Sequence, residues 1–567
     1  MVRMAWPALL VGFFISNLLT AQQVPFSDWA NQSGLQVPFG MGVSLVDVNQ
    51  DGYEDVFIAR KNRDNLLYLN LVDGTFEDIS AAAGVDHIGT SLQSIWADYD
   101  QDGDLDFFLG TAGGQQNLLY RNNGDLTFTE VSETAGVNTT VHAIFSMWGD
   151  VNGDGWSDLF VFALEGQNHF YLNQGNGIFK DYTTEAGVVH HPLSMGAALF
   201  DFDHDGDLDL YETHDGKYGN FLYQNDGEGH FTDVSEAFEI YSESSAMGVS
   251  IGDFNNDGWE DIYLTNLEGN FLFRNNGGIS FSEVGASAGV ADEGMGWGVS
   301  WLDYDNDGWL DLYVANDSYY SDYPNVLYRN NGDETFSIIE ADTEKDKGSY
   351  ATAIGDINRD GRMDLLLANR GNTDYNQVFL SQTIVGNWLS VKLLDPENNG
   401  LVGSRVSVTD GDFQVTRWYY AGTSWSADDA DRLHFGLGNH NVVSLTVLWP
   451  DDLEERYESV PINGHVLLTK GSGLTEEDIP PIANLGNSIT SIADETFELT
   501  VYPNPFTDLI RVDNNSFEFE IYTYENKLIY KSNKVYESIN TSGWKSGLYF
   551  LILVRDSDRI VKKLWKQ

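Results

Sequence analysis

The chain has 567 residues, 42% of them hydrophobic and 13% aromatic, with a formal net charge of −57. That apolar content supports several packed cores and argues against a disordered acidic polymer, which would be poor in aromatics. The charge argues against nucleic acid and anionic membrane as partners and favours cations, and with no cysteine in the chain disulfides staple nothing.

The N-terminus, "MVRMAWPALLVGFFISNLLTAQQ", carries Arg3 ahead of an apolar run over 4–19. A spanning helix needs about 20 apolar residues, so this run is too short, and "LTA" before Gln22 reads as a cleavage site. Residues 1–21 are therefore predicted to be a signal peptide, the alternative being a short anchor. The mature protein is expected to be exported, with no transmembrane segment.

From residue 47 a nine-residue pattern recurs seven times at intervals of 50 to 53 residues. Its first position is Asp47, Asp98, Asp150, Asp201, Asp253, Asp303 and Asp356; its third is Asn49, Asp100, Asn152, Asp203, Asn255, Asp305 and Asn358. The fifth is Asp51, Asp102, Asp154, Asp205, Asp257, Asp307 and Asp360, and the sixth is always Gly. The seventh varies (Tyr53, Asp104, Trp156, Asp207, Trp259, Trp309, Arg362), and the ninth is Asp55, Asp106, Asp158, Asp209, Asp261, Asp311 and Asp364. Each copy lies between two apolar stretches. It is followed by an "NLLYLN"-like stretch, an Asn/Asp-Gly turn and a Phe-led stretch, which makes four short strands per repeat. Seven such units over 22–385 describe an all-β fold, a seven-bladed β-propeller. The seventh repeat lacks its Phe-led strand, and "FSDWANQSGL", residues 26–35, is expected to supply it and close the ring.

Asp-Gly turns alone explain the glycine and one aspartate, but not four oxygen-bearing positions repeated seven times. Alternate spacing gathers these oxygens, the variable seventh position suits a backbone carbonyl ligand, and hard oxygens select calcium. Up to seven structural Ca2+ ions are expected. The loop is not an EF-hand, because Ile58 stands where that motif has its bidentate Glu. Without that carboxylate the sites belong to the weak extracellular class, and Arg359 and Arg362 make the seventh the weakest. The loops resemble the FG-GAP/VCBS repeats of integrin α-subunit propellers over roughly residues 24–385, and the resemblance implies structural calcium.

By strand order, the aspartate loops and the Asn-Gly turns share one end, and the irregular connections lie at the other. Function is expected on the irregular loops. Candidates are Tyr319, Tyr320 and Tyr323; His214, Lys217 and Tyr218; His190 and His191; and, on similar connections, His87 and His142. Tyrosine rims suit sugars or proteins. The His-Lys-Tyr set would suit acid/base chemistry on a polysaccharide, although no nucleophile motif or separate carboxylate pair accompanies it.

Residues 386–470 form a second all-β unit. Trp388, Leu389, Gly403, Arg405, Val406, His434 to Gly438 and Trp449-Pro450 resemble the ASPIC/UnbV domain, which also follows FG-GAP-type repeats in cartilage acidic protein. Arg405 reads as a ligand contact or a structural ion pair. Residues 471–495 have linker composition. The near-neutral segment 496–567, with "YPNPF", "SGLYF" and a basic end, resembles the C-terminal sorting domain of type IX secretion. That resemblance implies a Bacteroidetes-type organism, contact with the secretion machinery, delivery to the surface or medium, and removal of the tail.

The expected function is a secreted or cell-surface, calcium-stabilised adhesion protein that recognises a glycan or an extracellular protein and is not an enzyme. The competing expectation is a carbohydrate-active lyase or hydrolase working on the loop face opposite the calcium loops.

Overall fold

In the computed structural model the regular structure of the chain is nearly all β-strand, with four one-turn helices among the described residues. It describes residues 26–482, apart from 268, 319–322, 340–347, 372–373, 384–385, 397–400, 423 and 478, and the strands within 500–566. The expected leader, Tyr319 and Tyr320 lie outside the described residues.

Each aspartate loop joins the first and second strands of a four-stranded antiparallel unit. In the fourth unit these strands are Ser194–Phe200, Asp209–His214, Phe221–Asn225 and Phe231–Asp233, paired in that order. The seventh unit takes its last strand from the N-terminus: Phe26–Asp28 pairs with Gln377–Ser381, matching Phe26 to Ser381. Units 1 and 2 are also joined, because Lys61–Asp64 pairs with Ile88–Thr90.

Apolar residues pack between consecutive units, since both faces of each short sheet are covered by neighbours. Val46, Phe57 and Leu67 of unit 1 meet Trp96, Phe107 and Leu109 of unit 2. Val43, Leu45 and Ile58 of unit 1 meet Ala351, Ala353 and Leu366 of unit 7, so the first and last units pack as the others do.

Six residues before each loop stands one apolar side chain, namely Met41, Leu92, Ile144, Met195, Met247, Trp297 and Tyr350, and all seven belong to one buried cluster. Trp425, from the second domain, belongs to it too and is 1% exposed. Its ring lies 4.8 Å from that of Trp297 and 6.2 Å from that of Tyr350. The segment around it pairs with the first strands: Ala427 and Asp428 run parallel to Val43 and Ser44. Asp428 accepts from the Trp96 backbone N–H at 2.9 Å, and Asp429 from that of Ile354 at 2.8 Å. Residues 424–430 thus fill the space that the first strands surround.

The second domain has two four-stranded sheets around one core, which includes Leu389, Val406, Phe435, Val447 and Trp449. Its last strand, Gly473–Glu476, pairs with Gly464–Thr469. The stretch that reads as linker is therefore partly structured. Beyond that strand, Ile482 packs on Tyr53 and Val72 and donates its N–H to the Asn358 carbonyl at 2.7 Å. Tyr53 Oη donates to the Pro480 carbonyl at 2.6 Å. Pro480 and Ile482 thus bridge loops 1 and 7, a contact their composition does not announce. In 500–566 the strands form a three-stranded and a four-stranded sheet. No described helix is long and apolar enough to cross a membrane.

Candidate metal centres and the two ends of the repeat domain

Loop 2 shows how the motif builds a site. Asp98 Oδ1 accepts from the Asp102 N–H at 3.1 Å, and its Oδ2 accepts from the Gly103 N–H at 2.9 Å. Asp102 Oδ1 in turn accepts from the Asp104 N–H at 3.1 Å. Gly103 has φ +94°, a left-handed conformation that a side chain disfavours. Asp106 Oδ1 accepts from the Asn122 N–H at 2.7 Å, and Asn122 Nδ2 donates to the Leu105 carbonyl at 3.2 Å. The same place at the end of the third strand is held by Asn70, Asn173, Asn225, Asn275 and Asn330, with Ser381 in the seventh unit. These asparagines fix the ninth-position carboxylate. Their recurrence in the "NLLYLN"-like stretch is the sequence signal that marks them.

The carboxylates converge. Oxygens of Asp98, Asp100 and Asp106 lie within 4.8 Å of one another, as do those of Asp201, Asp203 and Asp209, and of Asp303, Asp305 and Asp311. Asp100 Oδ1, Asp106 Oδ2, Asp203 Oδ1 and Asp305 Oδ1 are buried and have no hydrogen-bond donor. Clustered carboxylate oxygens without donors suit a hard cation, so the residues present could hold metal ions. Burial pushes Asp106 and Asp209 up to about 9, and Asp253, Asp303 and Asp356 up to about 7, because an uncompensated charge is costly there.

Among the described residues, two arginines pair with loop aspartates and would compete with such an ion. Arg362 contacts Asp360 in the seventh loop. Arg329, from outside the motif, reaches Asp305 Oδ2 at 2.8 Å and Asp307 Oδ2 at 3.0 Å in the sixth. Arg359 instead donates to the Gly52 carbonyl of loop 1 and pairs with Glu477 at 3.1 Å. It ends a series of fourth-position side chains, each donating to the glycine carbonyl of the next loop. Gln50 reaches Gly103, Gln101 reaches Gly155, Asn256 reaches Gly308, and Asn306 reaches Gly361. The seventh-position side chains lie over the glycine of the neighbouring strand-three-to-four turn, Trp156 over Gly175 and Trp309 over Gly332.

The second domain sits on this loop end. Lys392 Nζ lies 2.9 Å from Asp431 and 3.6 Å from Asp47 Oδ2, His434 Nε2 lies 2.7 Å from Asn306 Oδ1, and Tyr420 Oη donates to Glu260 at 2.8 Å. Arg417 faces Asp253 and Asp303. Arg405 lies 3.5 Å from His204, itself stacked on Trp259, so Arg405 belongs to the domain contact.

At the opposite end the candidates divide. His214 is wholly buried against Glu212, so the acid/base set does not assemble where a polymer could meet it. His87 lies on the connection before the first strand of unit 2, whereas His142 opens the strand His142–Gly149 opposite Glu165, and neither joins a cluster among the described residues. Tyr218, Tyr241, Tyr323 and Tyr375, each at least 40% exposed, are the exposed aromatic side chains among the described residues, and all four stand at this end. Tyr241 and Tyr375 were not singled out in the sequence.

Residues 47–109, 98–161, 150–212, 213–264, 253–314 and 303–367 match the FG-GAP-like repeat. The chain belongs to the FG-GAP-like repeat family. Residues 395–475 of this FG-GAP-like repeat protein match ASPIC and UnbV, and 500–567 match the secretion system C-terminal sorting domain, which marks it for export to the outer surface or beyond. Cartilage acidic protein 1 of Mus musculus is 26% identical over 449 residues, which is 72% of this chain and 61% of that protein. The Homo sapiens protein is 24% identical over 455 residues, 72% and 60% respectively. The chain thus spans about three-fifths of these relatives. Among solved structures, an Agrocybe aegerita lectin recognising non-reducing terminal N-acetylglucosamine has a TM-score of 0.35 at 18% identity, covering 56% of this chain and 79% of that one. BBS1N, in complex with ARL6DN, has a TM-score of 0.40 at 11% identity, covering 61% and 93%.

Proposed function

We propose that the repeats close as a seven-bladed β-propeller, that their loops hold up to seven Ca2+ ions as structural clasps, and that the exported protein binds a glycan or extracellular protein through the end opposite those loops. The observation that carries this reading is the placement of the exposed tyrosines. The loop end lies under the second domain and the axis is filled by residues 424–430, while Tyr218, Tyr241, Tyr323 and Tyr375 stand on the remaining end. A flat ring with a hydroxyl tip packs on sugar faces and protein anchors at low entropic cost. The ions would be held by the first, third, fifth and ninth positions of each loop, with the seventh-position carbonyl, and would supply charge compensation and rigidity.

The test is retention of the mature protein on immobilised polysaccharides and extracellular proteins, with calcium present. Replacing the four tyrosines by alanine is expected to weaken retention at least tenfold while the melting temperature holds. Undiminished retention by that variant would refute the assignment of the binding end.

A further inference from the structure

The repeats supply their own control, because equivalent positions can be compared within the chain. Three residues after the ninth-position aspartate begins the second strand, six units place a fully buried aliphatic side chain: Ile58, Leu109, Val161, Leu264, Val314 and Leu367. The fourth unit places Glu212 there, also fully buried, and His214, likewise 0% exposed, two residues on. The fold asks only for an aliphatic residue at this position, and burying a carboxylate instead is costly. Something other than packing explains the change.

The surroundings are built for these two side chains. Glu212 Oε1 accepts from Asn168 Nδ2 at 2.7 Å and from Ser194 Oγ at 2.8 Å, while its Oε2 has no donor. His214 Nδ1 lies 2.8 Å from the Gly219 carbonyl oxygen, which only accepts, so Nδ1 carries the proton. In the neutral ring that leaves the Nε2 lone pair free. Nε2 lies 3.1 Å from Glu212 Oε1. A histidine whose far nitrogen is tied to a carbonyl is the usual arrangement of a metal ligand. The Glu212 carboxylate thus stands beside Nε2, and its donor-free Oε2 is the oxygen left to share a metal ion with that nitrogen. Above them, the His191 ring stands edge-on to His214 at 5.3 Å and lies flat on Phe221 at 4.3 Å.

We propose that Glu212, His214 and His191 form a site for one divalent ion of the zinc class, between units 3 and 4 at the end away from the aspartate loops. His191 joins the other two by rotation of its side chain, and Gly219, Asn168 and Ser194 hold the ligands in place. Two imidazoles and one carboxylate favour zinc over calcium, which keeps the site chemically separate from the all-oxygen loops.

The experiment titrates metal-free mature protein with Zn2+ in the presence of millimolar Ca2+, and repeats it with Co2+ to read the visible bands of a four-coordinate nitrogen–oxygen site. One equivalent of Zn2+ is expected. The double substitution Glu212→Leu with His214→Asn, which restores residue types used by the other units, is expected to abolish it, and His191→Ala to weaken it at least tenfold. His191 is only partly buried, so that variant keeps the test open should the double one fail to fold. A proton on His214 Nε2 would make the pair a plain buried ion pair. In that case no zinc binds, or binding is the same in wild type and variants, and either result overturns the proposal.

Discussion

At the scale of single residues, each loop aspartate has a different task. Asp106 holds the start of the second strand through the Asn122 N–H and turns its other oxygen, without a donor, toward Asp98 and Asp100. Asparagine keeps the acceptor for Asn122 and removes the charge. Asp106→Asn is therefore expected to lose one bound cation and melt a few degrees lower in Ca2+, yet to melt no lower than wild type in chelator at neutral pH. Calorimetry in both buffers checks this, and a loss of equal size in both would mean that the carboxylate is only a strand anchor. The first, third, fifth, sixth and ninth positions were legible because seven copies repeat them. Arg329 was not, because it comes from the third strand and only the pairing register brings it to Asp305 and Asp307.

At the scale of elements, the strand plan was readable from turn chemistry and apolar stretches, including the N-terminal strand that completes unit 7. The plug was not. Sequence shows an apolar residue six places before every loop, but says nothing of what covers seven such residues once they face one another. The cover is Trp425, more than 60 residues beyond the last of them in a loop of another domain, and no periodicity marks it. Truncating a fully buried tryptophan costs about 3–5 kcal/mol. Trp425→Ala is expected to lower the melting temperature and to open the contact between the two domains to limited proteolysis between residues 386 and 400. Intact domains that melt normally would mean that the segment merely occupies the axis.

At the scale of the whole molecule, loops, second domain and net charge form one linked system. In the cation-free state burial holds Asp106 and Asp209 near 9, and Asp253, Asp303 and Asp356 near 7, all above the ordinary carboxylate range. A native state with raised carboxyl values binds more protons than the unfolded chain, so its stability falls as pH rises, here between about pH 4 and 9. The net charge of −57 adds self-repulsion in the same direction as the remaining carboxyls ionise. A Ca2+ ion held as proposed would reverse the sign locally, since it would take the ionised carboxylates as ligands and compete with protons for them. Lys392, which faces Asp47, and Arg417, which is buried within the field of Asp303 and Asp253, tie that ionisation to the docking of the second domain. Melting curves in chelator and in millimolar Ca2+ are thus expected to lie close together near about pH 5 and to separate steadily toward about pH 9, with the chelated protein declining throughout. If the two curves ran parallel, or the chelated protein gained stability with pH, the acidic loops would not be the clasps of the fold.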